Sequence, residues 1–193
     1  TVRPKLCELL PRQGVPPALP SWDAFADQLA WGERAGSVPE PRVWWWELRP
    51  HPLYGTLELR VPDAQATVAD SAALVAVAHA LTARLAAAHD AGEQVVAAPT
   101  WRIAENRWQA LSRGPDGRHA DLESGAVTPR RERLHALLAE LEPFAERLGA
   151  TAQLASARGL VDACGAARQR AAAGDRGARA AAAWLAGRFL EMP

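Results

Sequence analysis

The chain has 193 residues, 49% of them hydrophobic and 23% charged, the ordinary make-up of a soluble globular protein. Its 22 basic and 22 acidic side chains cancel, so no global field points toward nucleic acid or an anionic membrane. Cys7 and Cys164 give no disulfide framework or zinc site, and no stretch approaches the roughly 18 unbroken apolar residues of a membrane span. A reducing cytoplasm is the expected compartment.

Thr1-Val2-Arg3-Pro4-Lys5 carries no initiator methionine and no apolar signal core, which fits a start inside a longer polypeptide. Pro11, Pro16, Pro17 and Pro20 predict an irregular first segment, because proline fixes its own backbone and pushes its predecessor toward extended geometry. Ser21 caps an expected helix over Trp22–Arg34 that ends near Gly36. Two strand-like runs follow, Arg42–Arg49 and Gly55–Val61, joined by a rigid Pro50–Tyr54 loop of hairpin length.

Thr67 then caps an alanine- and leucine-rich helix from Val68 to about His89, apolar nearly all round and so expected to be buried on several sides. A helix over Thr100–Ser112 and a turn-rich excursion or small hairpin over Arg113–Thr128 come next. Thr128 is expected to cap a helix with Pro129 at its first position, running to Leu148 and stopped by Gly149. Two more helices are predicted, Thr151–Ala163 and Asp175–Leu190, the last with Trp184, Leu185, Phe189 and Leu190 as its packing face. The fold class is α+β, with a sheet-containing part over 1–64 and a mostly helical part over 65–193.

Alternate strand residues share a face, so pairing of the two runs would gather Glu47, Arg49, Thr56, Glu58 and Arg60 on one side. A solvated face laced with ion pairs is one reading of that pattern. The other is a floor for anionic substrates and a divalent cation. Carboxylates supply the hard oxygens magnesium prefers, and arginine forks grip carboxylate or phosphate. In the triplet Trp44–Trp46, strand alternation should bury two of the three rings as core.

Trp45-Trp46-Glu47-Leu48-Arg49-Pro50-His51-Pro52, followed by Gly55-Thr56-Leu57-Glu58-Leu59-Arg60-Val61 and Asp63, resembles the signature of bacterial glutamate–cysteine ligase family 2, also called the carboxylate–amine ligases. Leu10–Pro17, Glu105-Asn106-Arg107-Trp108-Gln109-Ala110 and Gly165-Ala166-Ala167-Arg168-Gln169-Arg170 resemble further segments of that family, in the same order. Glu47 stands where the family usually has aspartate.

The resemblance implies the antiparallel sheet portion of a glutamine-synthetase-like catalytic fold. On it, ATP with Mg2+ would phosphorylate the γ-carboxylate of glutamate or a similar substrate, and an amine such as cysteine would displace the phosphate. It assigns Glu58 to magnesium, Arg60 to the phosphates or acyl phosphate, and Arg49 to the substrate carboxylate. Glu47, Thr56, Asn106, Arg107, Arg168 and Arg170 become substrate- or nucleotide-binding candidates. For Asn106 and Arg107 a surface helix, and for Arg168 and Arg170 a solvated arginine cluster, remain open. The family's Gly-x-Glu-x-Glu metal strand is absent from this sequence. The expectation is therefore the C-terminal portion of an oligomeric enzyme, inactive alone, whose N-terminal half is its partner. The competing expectation is a non-catalytic binding or assembly module.

Overall fold

The computed structural model describes residues 3–94 and 97–189, a mixture of strand and helix that is 63% helical. Two units divide them: Thr1–Pro62, Ala97–Ser112 and Leu122–Ser124 form the first, and Asp63–Val96, Arg113–Asp121 and Gly125–Pro193 the second. The first unit joins the stretch up to Pro62 to two later segments, 97–112 and 122–124.

In the first unit, a short helix α1 (Arg3–Cys7) and a two-residue strand β1 (Gln13–Gly14) occupy the segment expected to be irregular. Helix α2 (Trp22–Arg34) forms as its sequence dictates, with the Ser21 hydroxyl accepting from the Ala24 N–H at 3.1 Å. Phe25 on α2 packs with Val38 and Trp44 into a small core, and Trp44 stacks on Trp46 at 4.5 Å. Trp45 is the exposed member of the triplet, as alternation predicts.

The first strand-like run is not continuous. A 3-10 turn (Pro41–Val43) leads to β2 (Trp45–Trp46), which pairs parallel with β1, and then to β3 (Leu48–His51). Strand β4 (Thr56–Leu59) pairs antiparallel with β3, so Pro50 and His51, expected in the loop, belong to a strand. The helix α4 (Thr100–Arg113) follows its prediction to within a residue.

The second unit is built on α3 (Val68–Asp90), α5 (Arg130–Arg147) and α6 (Thr151–Asp162). Ala73, Ala76 and Ala80 of α3 meet Leu138, Leu141 and Ala145 of α5 and Leu154, Ala157 and Val161 of α6 in one core. Burial of α3 is confined to that stripe, whereas Val68, Val75 and Leu85 are exposed. The expectation of burial on several sides fails because alanine raises apolar content and helix propensity without demanding a packing partner. By length and composition α3 is also apolar enough to cross a membrane, a property shared by core helices of soluble proteins.

Strands β5 (Arg118–Ala120) and β6 (Val127–Pro129) form the small hairpin anticipated between the helices. Thr128 pairs with His119 in that ladder and does not cap α5, which begins at Arg130 with Pro129 (φ −57°) as the last extended residue. Gly149 ends α5 in the left-handed region at φ +66°, its N–H bonded to the Glu146 carbonyl. Two helices follow: α7 (Gly165–Ala173), which was not anticipated, and α8 (Gly177–Phe189). No described residue of α8 is fully buried and Phe189 is 73% exposed, but Trp184 and Leu185 are half-buried, so the expected packing face forms in part; Leu190 lies outside the described residues.

His119 carries a pH dependence. Burial lowers the imidazole pKa below its ordinary 6.5, the nearby Arg133 and Arg130 charges add to this, and Asp121 opposes. As pH falls below about 6.5 the unfolded chain takes up that proton before the folded chain does, so stability is lost across the window down to the lower folded value. Urea midpoints followed by helical circular dichroism should therefore drop between pH 7.5 and 5. His119→Gln should flatten that drop, and an unchanged slope would dismiss His119 as its source.

Candidate functional site

Pairing of β3 with β4 sets Leu48 opposite Leu59, Arg49 opposite Glu58, Pro50 opposite Leu57 and His51 opposite Thr56. Arg49 is 6% exposed and its guanidinium is heavily used. Nε and Nη2 donate to Glu58 Oε2 at 2.9 and 2.6 Å. Nη1 donates to the carbonyls of Arg42 at 2.6 Å, Trp44 at 2.7 Å and Pro41 at 3.3 Å. The other carboxylate oxygen of Glu58 accepts from Arg60 Nη1 at 2.6 Å. Partial burial pushes the Glu58 carboxyl up, but the hydrogen bonds and charges of Arg49 and Arg60 outweigh it and hold the group below the usual carboxylate range. Glu58 is thus a carboxylate at neutral pH, held between two guanidinium groups.

Glu47 does not join them. It sits where the chain leaves its parallel partner β1 for its antiparallel partner β4, and that change breaks the strand alternation on which a five-residue face depends. Its N–H donates to the Gly14 carbonyl at 2.9 Å, and its carbonyl accepts from the Arg60 N–H at 2.7 Å. Its carboxylate is gripped by Arg107 of α4, with Nε 2.8 and 2.7 Å from its two oxygens and Nη2 also bound. Arg107 Nη1 donates to Glu8, whose other oxygen lies 2.6 Å from Lys5 Nζ. A Cβ on Gly14 (φ +87°) would come within 3.1 Å of Glu8 Oε1, so glycine leaves room for this cluster.

Arg49, Glu58 and Arg60 form one contiguous group, and Glu47 and Arg107 form a second. Thr56 is exposed on β4 across from His51, and Asn106 precedes Arg107 on α4. Arg168 and Arg170 belong to the second unit. There Arg168 Nη2 pairs with Asp70 Oδ2 at 2.7 Å, and Arg170 is exposed. Lys5 and Glu8 are participants that sequence reasoning missed. Their segment read as irregular, and nothing in it announced a helix that would aim Glu8 at Arg107.

A cleft of about 490 Å3 opens beside Glu47 and Arg107 within the first unit. Its walls come from the loop after β1, from Leu48, Leu59 and Val61 of the hairpin region, and from Ile103 at the start of α4.

The sequence model of glutamate–cysteine ligase family 2 matches residues 1–180. The chain belongs to that family. It is 36% identical over 145 residues to a protein of Thermobifida fusca named "Putative glutamate–cysteine ligase 2", covering 75% of this chain and 36% of the relative. A relative of the same name from Micrococcus luteus is 36% identical over 168 residues, 87% of this chain and 42% of its own. A third, "Putative glutamate–cysteine ligase 2-3" of Rubrobacter xylanophilus, is 35% identical over 175 residues, 89% and 46% respectively. The chain therefore spans less than half the length of these curated relatives.

Membership of glutamate–cysteine ligase family 2 places the hairpin, α4 and α7 inside one family match. Among the described residues no three His, Cys, Asp or Glu side chains gather as a cage, and both oxygens of Glu58 already accept from guanidinium groups.

Proposed function

We propose that this chain is the C-terminal portion of a cytoplasmic, oligomeric, ATP-dependent carboxylate–amine ligase of the glutamate–cysteine ligase type, on a glutamine-synthetase-like sheet. One observation carries the reading: within the family match, the β3–β4 register sets Arg49 directly across from Glu58, with Arg60 on the other carboxylate oxygen. In the proposed reaction a γ-carboxylate oxygen attacks the terminal phosphorus of ATP and ADP leaves. The amine then attacks the acyl carbon, inorganic phosphate departs and the amine gives up a proton. Arginines positioned by a rigid carboxylate suit anionic groups that must be held in line.

We redistribute the expected roles accordingly. Arg49 is committed to Glu58 and three carbonyls, so its part is to fix Glu58. Arg60, with 37% of its side chain exposed and one nitrogen on Glu58, is the group placed to meet a phosphate or carboxylate. Metal-binding carboxylates are assigned to the part of the ligase that this chain does not span, in keeping with the greater length of its relatives. The acceptor is an amine such as cysteine, and the second substrate is glutamate or a similar carboxylate. A second reading, a non-catalytic assembly module, draws on the exposed apolar side chains of the hairpin.

The test is Glu58→Ala in the complete two-part enzyme. Amino-acid-dependent ADP release is expected to fall by about 10³-fold or more, with circular dichroism unchanged. Near-normal turnover would remove Glu58 from the site and leave the assembly module standing.

A further inference from the structure

Resting on the ligase reading for the identity of the occupant, we infer that the apolar side of the β3–β4 hairpin and its adjoining cleft seat an apolar segment of the ligase polypeptide that this chain does not span. The hairpin is a sheet of two strands, an arrangement only marginally stable unless something covers its apolar side. Its polar side is satisfied internally by Arg49, Glu58 and Arg60. The alternate positions are not: Leu57 is 52% exposed and Leu59 45%, with Leu48 and Val61 also open. Leu48, Leu59 and Val61 run directly into the cleft, where Val15, Pro16 and Ile103 continue the apolar wall. Apolar side chains clustered in the open beside a cleft mark an interaction surface.

The polar groups at this surface decide between a charged small molecule and a polypeptide. Arg107 and Glu47 satisfy one another, and Glu8 and Lys5 complete a cluster of two cations and two anions. No net charge remains to select an ionic ligand, so the cleft asks for apolar side chains. A source is at hand, because more than half the length of each similar relative lies outside the portion this chain matches.

The experiment mixes this chain with the unmatched portion of the Rubrobacter xylanophilus relative, made as a separate polypeptide, and weighs the products by size exclusion with light scattering. A one-to-one complex is expected. Leu59→Glu should weaken it on the order of 100-fold, and Val61→Lys should do the same if Leu59→Glu proves misfolded by circular dichroism. Leu53→Glu, on the exposed hairpin turn outside the cleft, should leave it unchanged.

Three results would overturn the inference. One is no complex, when the same polypeptide does pair with the matched portion of its own relative. Another is a complex indifferent to folded Leu59→Glu and Val61→Lys. The last is self-association of this chain that those substitutions dissolve, since a second copy would then hold the seat. A complex that forms with the expected sensitivities but releases no ADP with amino acid and ATP supports the docking surface and defeats the ligase reading instead.

Discussion

Arg49→Met should lower the stability of the first unit by about 4 kcal/mol, because it takes a guanidinium partner from Glu58 and a shared donor from three carbonyls in one step. Methionine fills much of the volume, so the loss is electrostatic and not a cavity. The carbonyls of Arg42 and Trp44 would lose this donor, at about 1–3 kcal/mol each if they stay dry, whereas that of Pro41 keeps the Trp44 N–H at 3.1 Å. Glu58 would keep Arg60, and with part of its side chain exposed it would recover some solvation, so its loss adds little to that sum. Arg49→Lys should recover part of the loss, since an ammonium can reach one or two of these acceptors but cannot fork between them.

Tryptophan emission in urea is the measurement. Seven of the eight tryptophans lie in the first unit, with Trp184 the exception, so the signal follows the hairpin's own surroundings. A midpoint shift worth under 1 kcal/mol would mean that Arg49 is an ornament of the turn and not its anchor.

Gly117→Ala should cost the second unit about 3 kcal/mol for a single methyl group. The backbone there (φ −78°) suits any residue, so the penalty is steric. A Cβ would stand 2.4 Å from Arg130 Nη1 and 2.8 Å from Arg113 Cβ. Arginine tips usually swing aside cheaply. Arg130 cannot, because it is 7% exposed and its two terminal nitrogens donate to the carbonyls of Gly114 and Arg118. Arg113 offers only its Cβ, which moves with the backbone. Helical circular dichroism in urea should report the loss. Pairing Gly117→Ala with Arg130→Ala should give less than the sum of the two single effects, since the clash and the lost donors share one side chain. Strict additivity would show that the two groups do not meet.

The helices that begin at Trp22, Val68 and Thr100 were legible because each carries its start signal locally: the hydroxyls of Ser21 and Thr67 cap the first two, and the third follows a turn-forming proline. The hairpin was legible too, since the proline-bounded loop and the alternating Thr56–Leu59 run left few other pairings. What escaped was every feature set by a partner distant in sequence. Glu47 could be placed on the Arg49 face only by assuming one uninterrupted strand. The parallel contact with Gln13–Gly14 that interrupts it has no local mark. Thr128 reads as a cap in isolation, and only the ladder with His119 recruits it into a strand. The candidate site itself divided along the same line: Arg49, Glu58 and Arg60 were near neighbours in sequence, whereas Glu8 and Arg107 are 99 residues apart.

The Ala73, Ala76 and Ala80 stripe of α3 has an implication for how this alanine-rich chain can drift. Where these three methyl groups meet α5 and α6, each acts as a spacer that sets how closely the helix axes approach, and a bulkier side chain would act as a wedge. Alanines on the open side of the same helix carry no such duty. Identical letters a few positions apart are therefore under unequal constraint: one set is filler that can be exchanged freely, and the other is gauge.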